Sequence, residues 1–168
     1  MSRLLSCAFR LALCLACLAR GASAHDRSTS YSAWEIDGTH ARVTVRIAAL
    51  DLSRLPLMAA EPGERDAASA AYLTQHLQLF AGAAACEVAS PPRPIDSVPG
   101  RAVYEWQLLC SAAEHLQIRS DLLLDEAPSH LHFARVLRGD AKPLERVLSD
   151  SERTWMLSES TSAQTADG

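Results

Sequence analysis

Residues 41–48 alternate strictly, with Val43, Val45 and Ile47 pointing one way and Arg42, Thr44 and Arg46 the other. That is the pattern of a strand with one face buried and one in water. Residues 31–36 predict a shorter strand with Trp34 and Ile36 on one face, and Asp37-Gly38 joins the two. This dipeptide suits a type I′ hairpin, whose central positions both need positive φ. Further on, Ala102, Tyr104, Trp106, Leu108 and Cys110 share a face over residues 101–110. Residues 115–124 repeat the alternation, with Leu116, Ile118, Leu122 and Leu124 facing in. In residues 129–137 the inward face stays open, because Leu131, Phe133 and Leu137 compete with Ala134 and Val136. A turn at Arg138-Gly139-Asp140 leads to strands at 144–148 and 154–157.

Two stretches break the β pattern. Residues 64–80 are rich in Ala, Leu and Gln with little β-branching and predict a short helix, with strand character returning near Leu77. Cys86 to Ala89 reads as a short extended piece, and residues 90–100, SPPRPIDSVPG, carry four prolines and predict an irregular or polyproline-like connection. The expected fold is mainly β, an antiparallel, immunoglobulin-like β-sandwich with one short helix. It spans residues 25–157, and the polar, low-complexity residues 158–168 read as a disordered tail or linker.

The amino terminus carries a different pattern. Arg3 and Arg10 precede an apolar run from Leu11 to Ala19, followed by Ala22-Ser23-Ala24, the n-region, h-region and small-residue site of a secretory signal. Cleavage there makes residues 1–24 a signal peptide and His25 the first residue of an exported, periplasmic or extracellular product. A membrane anchor needs about 20 apolar residues, and Arg10 and Arg20 bracket far fewer. Lipidation fits poorly too, since Leu13 precedes Cys14 and Cys14 lies three before Cys17.

Charge and cysteine usage narrow the partners. The 168 residues include 16 basic and 20 acidic side chains. Arg3, Arg10 and Arg20 leave with the signal, so the balance from His25 onward is 13 against 20, a net of −7. Such a product is a poor ligand for nucleic acid or anionic lipid, and no later apolar run is long enough to span a membrane. Cys86 and Cys110 are the two cysteines outside the signal. In an oxidising compartment they are most simply a disulfide, with free thiols or a metal site as the alternatives.

Six histidines lie at or beyond residue 25, namely His25, His40, His76, His115, His130 and His132. An amino-terminal His25 offers its α-amine and an imidazole nitrogen together, and a further histidine completes a T-shaped nitrogen site suited to copper. His130 and His132, two apart on a strand, share a face and are the candidates to complete it. The other reading makes them exposed polar positions on a sandwich. Glu114-His115 and Asp150-Ser151-Glu152 hold acid, base and hydroxyl groups, but no nucleophile elbow, zinc-protease helix or phosphate loop accompanies them, so no enzyme is expected. Arg138-Gly139-Asp140 spells an adhesive tripeptide that a hairpin would contain anyway.

The signal ending at Ala24-His25, the pair Cys86 and Cys110, the stretch SHLHFARV at 129–136 and VLSDSERTW at 147–155 together resemble the amino-terminal extracytoplasmic part of HupE/UreJ-like membrane proteins. That family is regarded as nickel or metal permeases, with transmembrane helices following the exported domain. The chain ends at Gly168, where the first such helix is expected, so it reads as a free-standing relative or a truncated frame. The resemblance implies a non-catalytic module that docks on or assists a membrane partner of the metal-transport class. The alternative is a soluble periplasmic copper- or nickel-binding protein that uses His25.

Overall fold

A computed structural model describes residues 27–56, 61–95 and 98–157. The signal, His25 and the tail at 158–168 lie outside the described residues. Strands β1 (Thr29–Asp37) and β2 (His40–Ala48) lead into a one-turn helix α1 (Ala49–Leu52) and then α2 (Pro62–His76). After these come β3 (Leu77–Ala81), β4 (Ala84–Ala85), β5 (Glu87–Pro94), β6 (Arg101–Leu109) and β7 (Leu116–Ser120). The last elements are β8 (Leu131–Arg138), β9 (Leu144–Leu148) and β10 (Thr154–Met156). One sheet has the order β5-β6-β2-β1-β8-β9 and the other β10-β7-β3-β4.

The two sheets share one apolar core. Trp34, Val43, Val45, Ile47 and Trp106 come from the first, and Leu77, Leu79, Leu116 and Ile118 from the second. Period-two alternation puts them there: β2 buries Ala41, Val43, Val45 and Ile47, and β6 buries Tyr104, Trp106 and Leu108. The hairpin closes one residue later than expected. Asp37 pairs with His40, which leaves Gly38-Thr39 as the loop, and Gly38 takes a φ of +56° that a side chain would strain.

Three further expectations are corrected. The sheets are not wholly antiparallel: β1 runs parallel to β8, Ser30 opposite His132 and Tyr31 opposite Phe133. Among the described residues there are two helices rather than one, since α1 follows directly on β2; α2 stops at His76 and Leu77 to Ala81 pair with β7, as the return of strand character near Leu77 implied. The proline-rich stretch is not a loop throughout. Pro91, Pro92 and Pro94 belong to β5, which survives as the edge of its sheet, with register shifts between Val88 and Ser90 and between Ser90 and Arg93. An edge strand tolerates residues that cannot donate a ladder bond because one of its sides has no neighbour. Leu122 and Leu124 face in as expected but lie beyond β7 in a turn, where Leu123 is buried too, against the alternation; it has φ +59° and its N–H donates to the Tyr72 hydroxyl at 2.8 Å.

Cys86 and Cys110 form a disulfide with their Cα atoms 4.2 Å apart, joining the residue before β5 to the residue after β6. Cys110 sits in the core, continuing the buried face of β6 one residue beyond its end. Closing a loop across a sequence separation of 24 stabilises the fold by roughly 3 kcal/mol in the chain-entropy model. Replacing both cysteines by alanine should lower the urea midpoint of the oxidised protein by that equivalent, and the same variant should be indifferent to reductant. An unchanged midpoint would show that the staple constrains nothing.

Candidate functional site

The two adjacent parallel strands β1 and β8 carry chemistry on both of their faces. On the inner face, Ser30 and Ser32 of β1 and Ser28 just before it are buried, all in step with Trp34 and Ile36. Against them, His130 and His132 are each only 1% exposed, in step with Ala134 and Val136. The face left open by the sequence pattern is therefore the one with the histidines inside, and Leu131, Phe133 and Leu137 turn outward.

Serines and imidazoles interleave into one chain of hydrogen bonds. Trp34 Nε1 meets Ser32 Oγ at 2.8 Å, Ser32 Oγ meets His132 Nε2 at 2.8 Å, and His132 Nδ1 meets Ser30 Oγ at 2.7 Å. Ser30 Oγ then meets His130 Nε2 at 2.8 Å, His130 Nδ1 meets Ser28 Oγ at 2.7 Å, and Ser28 Oγ meets Asp51 Oδ2 at 2.9 Å. Its two ends fix its direction. The indole can only donate and an ionised carboxylate can only accept, so every hydroxyl hands its proton on toward Asp51. Ser28 donates to Asp51, hence His130 Nδ1–H donates to Ser28. Ser30 donates to His130 Nε2, hence His132 Nδ1–H donates to Ser30, and Ser32 donates to His132 Nε2. Both imidazoles are assigned by this accounting as neutral Nδ1–H tautomers with no free nitrogen.

Electrostatics agree with neutrality. Burial holds His132 down at about 3, and the neighbouring His130 adds to the shift. Burial likewise holds His130 down at about 4, partly offset by the Asp51 carboxylate. Because the folded values lie below the ordinary value near 6.5, their contribution to stability is fully present above pH 6.5. It is lost as pH falls toward 4 and then 3, where the unfolded chain binds protons that the folded one refuses.

On the outer face of the same strands, Tyr31 and Phe133 stack with ring centroids 5.1 Å apart and planes 17° from parallel. The Arg46 guanidinium lies 5.7 Å above the Tyr31 ring. They floor an open groove of about 870 Å³ whose sides include Arg135, Glu145, Arg146 and Val147. Tyr31 is 37% and Val147 41% exposed. Arg135 reaches Glu145 at 3.8 Å and Arg146 is paired with Glu152. Arg46 has no carboxylate partner among the described residues.

The expected site residues are thus distributed unevenly. His130 and His132 do share a face, but it is the buried one, and a metal could take their nitrogens only by breaking the serine bonds. His25 lies outside the described residues. Among the described residues, no group of three or more His, Cys, Asp or Glu side chains is placed to hold a metal ion. Glu114 and His115 are exposed, with His115 at φ +52°. Asp150 and Glu152 are engaged by Arg153 and Arg146. Arg138-Gly139-Asp140 is a turn, with the Arg138 guanidinium donating to the Ala113 carbonyl at 3.0 Å. Sequence reasoning missed Ser28, Ser30, Ser32 and Asp51. The available signal was a period-two run of serines entering Trp34, matched by a second period-two run of histidines.

In comparisons with known proteins, no family model matches the chain and no curated protein is significantly similar to it. Neither comparison links it to HupE/UreJ-like proteins.

Two outcomes follow from the hydrogen-bond accounting. Imidazole 15N shifts at pH 7 should show both His130 and His132 neutral and protonated at Nδ1, and an Nε2–H pattern on either would break the assigned direction. Ser30→Ala removes a partner from both imidazoles and should cost about 2 kcal/mol or more, read as a lowered denaturant midpoint.

Proposed function

We propose that this chain is a non-catalytic, extracytoplasmic docking module that receives an acidic, apolar segment of a membrane protein in the groove over Tyr31 and Phe133. Its two sheets are read as a variant of the immunoglobulin-like sandwich. The observation that carries the proposal is a local reversal of charge: the chain has a formal net charge of −4, while the side chains on the Tyr31 and Phe133 face of the groove are Arg46 and Arg135 against Glu145, with Arg146 at the rim held by Glu152. A half-exposed aromatic pair under a guanidinium that has no carboxylate partner among the described residues has the composition of a protein-recognition surface. β9, whose Glu145 and Val147 line the groove, ends its sheet, so an extended segment could lie beside it. That the partner spans the membrane and belongs to the metal-transport class rests on the export signal and the sequence resemblance. No helix among the described residues is long and apolar enough to cross a membrane.

A photo-crosslinking residue in place of Phe133, in cells that express the chain naturally, should yield one discrete adduct in the membrane fraction. The same residue in place of Asp66 on α2 should not, and Arg46→Glu should reduce the Phe133 adduct at least tenfold. Identical adducts from both positions, or none from Phe133, would overturn the docking reading. Submicromolar copper or nickel binding that vanishes on blocking the amino terminus would replace it with the metal-carrier alternative built on His25.

A further inference from the structure

We propose that the serine–histidine chain is an acid-operated latch: separating β1 from β8 takes up two protons, one on each imidazole, so that acid undoes the docking groove from beneath. The two faces belong to the same residues in alternation. Ser30 and His132 are opposite one another on the inside, and Tyr31 and Phe133, the next positions, are opposite one another outside. Anything that parts the inner pair separates the stacked rings that floor the groove.

The closed chain has no place for another proton. A proton added at His132 Nε2 would face Ser32 Oγ, which already accepts the Trp34 N–H and would lose the acceptor for its own hydrogen. At His130 Nε2 the same conflict falls on Ser30, which already accepts from His132 Nδ1. Neutralising charge is also scarce. From the α1 side, Asp51 faces His130 through Ser28 and is itself shared with Arg54 at 3.3 Å. From β9, Leu148 stands opposite His132, and the next residue on that face, Arg146, is a cation paired with Glu152. Within the chain, His130 itself opposes a charge on His132. Once the strands part, both rings meet water and regain ordinary basicity. Below pH 6.5 the opening constant should therefore rise by up to about 100-fold per pH unit, the linkage expected for two protons, until the closed state also begins to protonate near pH 4.

The test is residue-resolved amide hydrogen exchange on the isolated full chain from pH 7 to 4.5, corrected for intrinsic exchange. Opening constants of β1 and β8 amides should rise with a slope near two per pH unit, ahead of those in β3 and β7. His130→Gln and His132→Gln should each reduce the slope by about one. If either variant fails to fold, the wild-type slope, together with 15N shifts showing that the imidazoles are charged only in the opened species, decides. A slope near zero at β1 and β8, or exchange there indistinguishable from β3 and β7 at every pH, would overturn the latch. The effect on docking rests on the function proposed above. Exchange is measured without a partner, so a failure of docking leaves the latch standing, and a failure of the latch leaves docking at neutral pH untouched.

Discussion

Burying two imidazoles and three hydroxyls in an apolar core is tolerable only when every donor finds an acceptor, since each unmatched group costs on the order of 1–3 kcal/mol. Here that condition is met by alternation. Serine on β1 and histidine on β8 occupy inward positions two residues apart, and parallel register sets each hydroxyl within reach of an imidazole nitrogen. A one-residue slip would turn Tyr31 and Phe133 into the core and expose the serines. The chain of bonds therefore sets the register of the parallel pair far more sharply than apolar packing at Ala134 and Val136 could. Trp106 makes the contrast: its buried indole N–H has no partner among the described residues, whereas that of Trp34 begins the chain.

Much of the fold was legible because apolar alternation and burial coincide. β2 and β6 are strands whose every inward residue is apolar, and their faces are as the pattern implies. Illegibility began where that coincidence fails. In β8 the larger apolar residues Leu131, Phe133 and Leu137 face out while two histidines face in, so a rule that places hydrophobic residues inside selects the wrong face. The prolines of β5 misled for a different reason, since their effect depends on whether the strand has a neighbour on both sides, and sheet order is a property of the whole chain. The histidines themselves were conspicuous, yet the chemistry they take part in was hidden in serines that look like ordinary loop residues.

The outer face of β1 and β8 owes its character to the inner one. Where the interior positions are taken by serine and histidine, the alternate residues Tyr31 and Phe133 point outward and stack against each other under Arg46, while Trp34 of β1 stays in the core. A groove with an aromatic floor and a basic rim is then the other side of a polar seam.

The seam also dictates an order of assembly. Ser28 and His130 stand 102 residues apart, as do Ser30 and His132, yet β1 lies inside its sheet, between β2 and β8. A chain emerging from its amino end can close the β1–β2 hairpin at once, but one edge of β1 must wait, unpaired and lined with hydroxyls, until most of the polypeptide has followed. Joining such distant segments is slow because loop closure precedes any return from the contact. During that wait the unpaired backbone of β1 is an open edge to which strands of other molecules can add, so the late arrival of β8 both finishes the sheet and closes that edge.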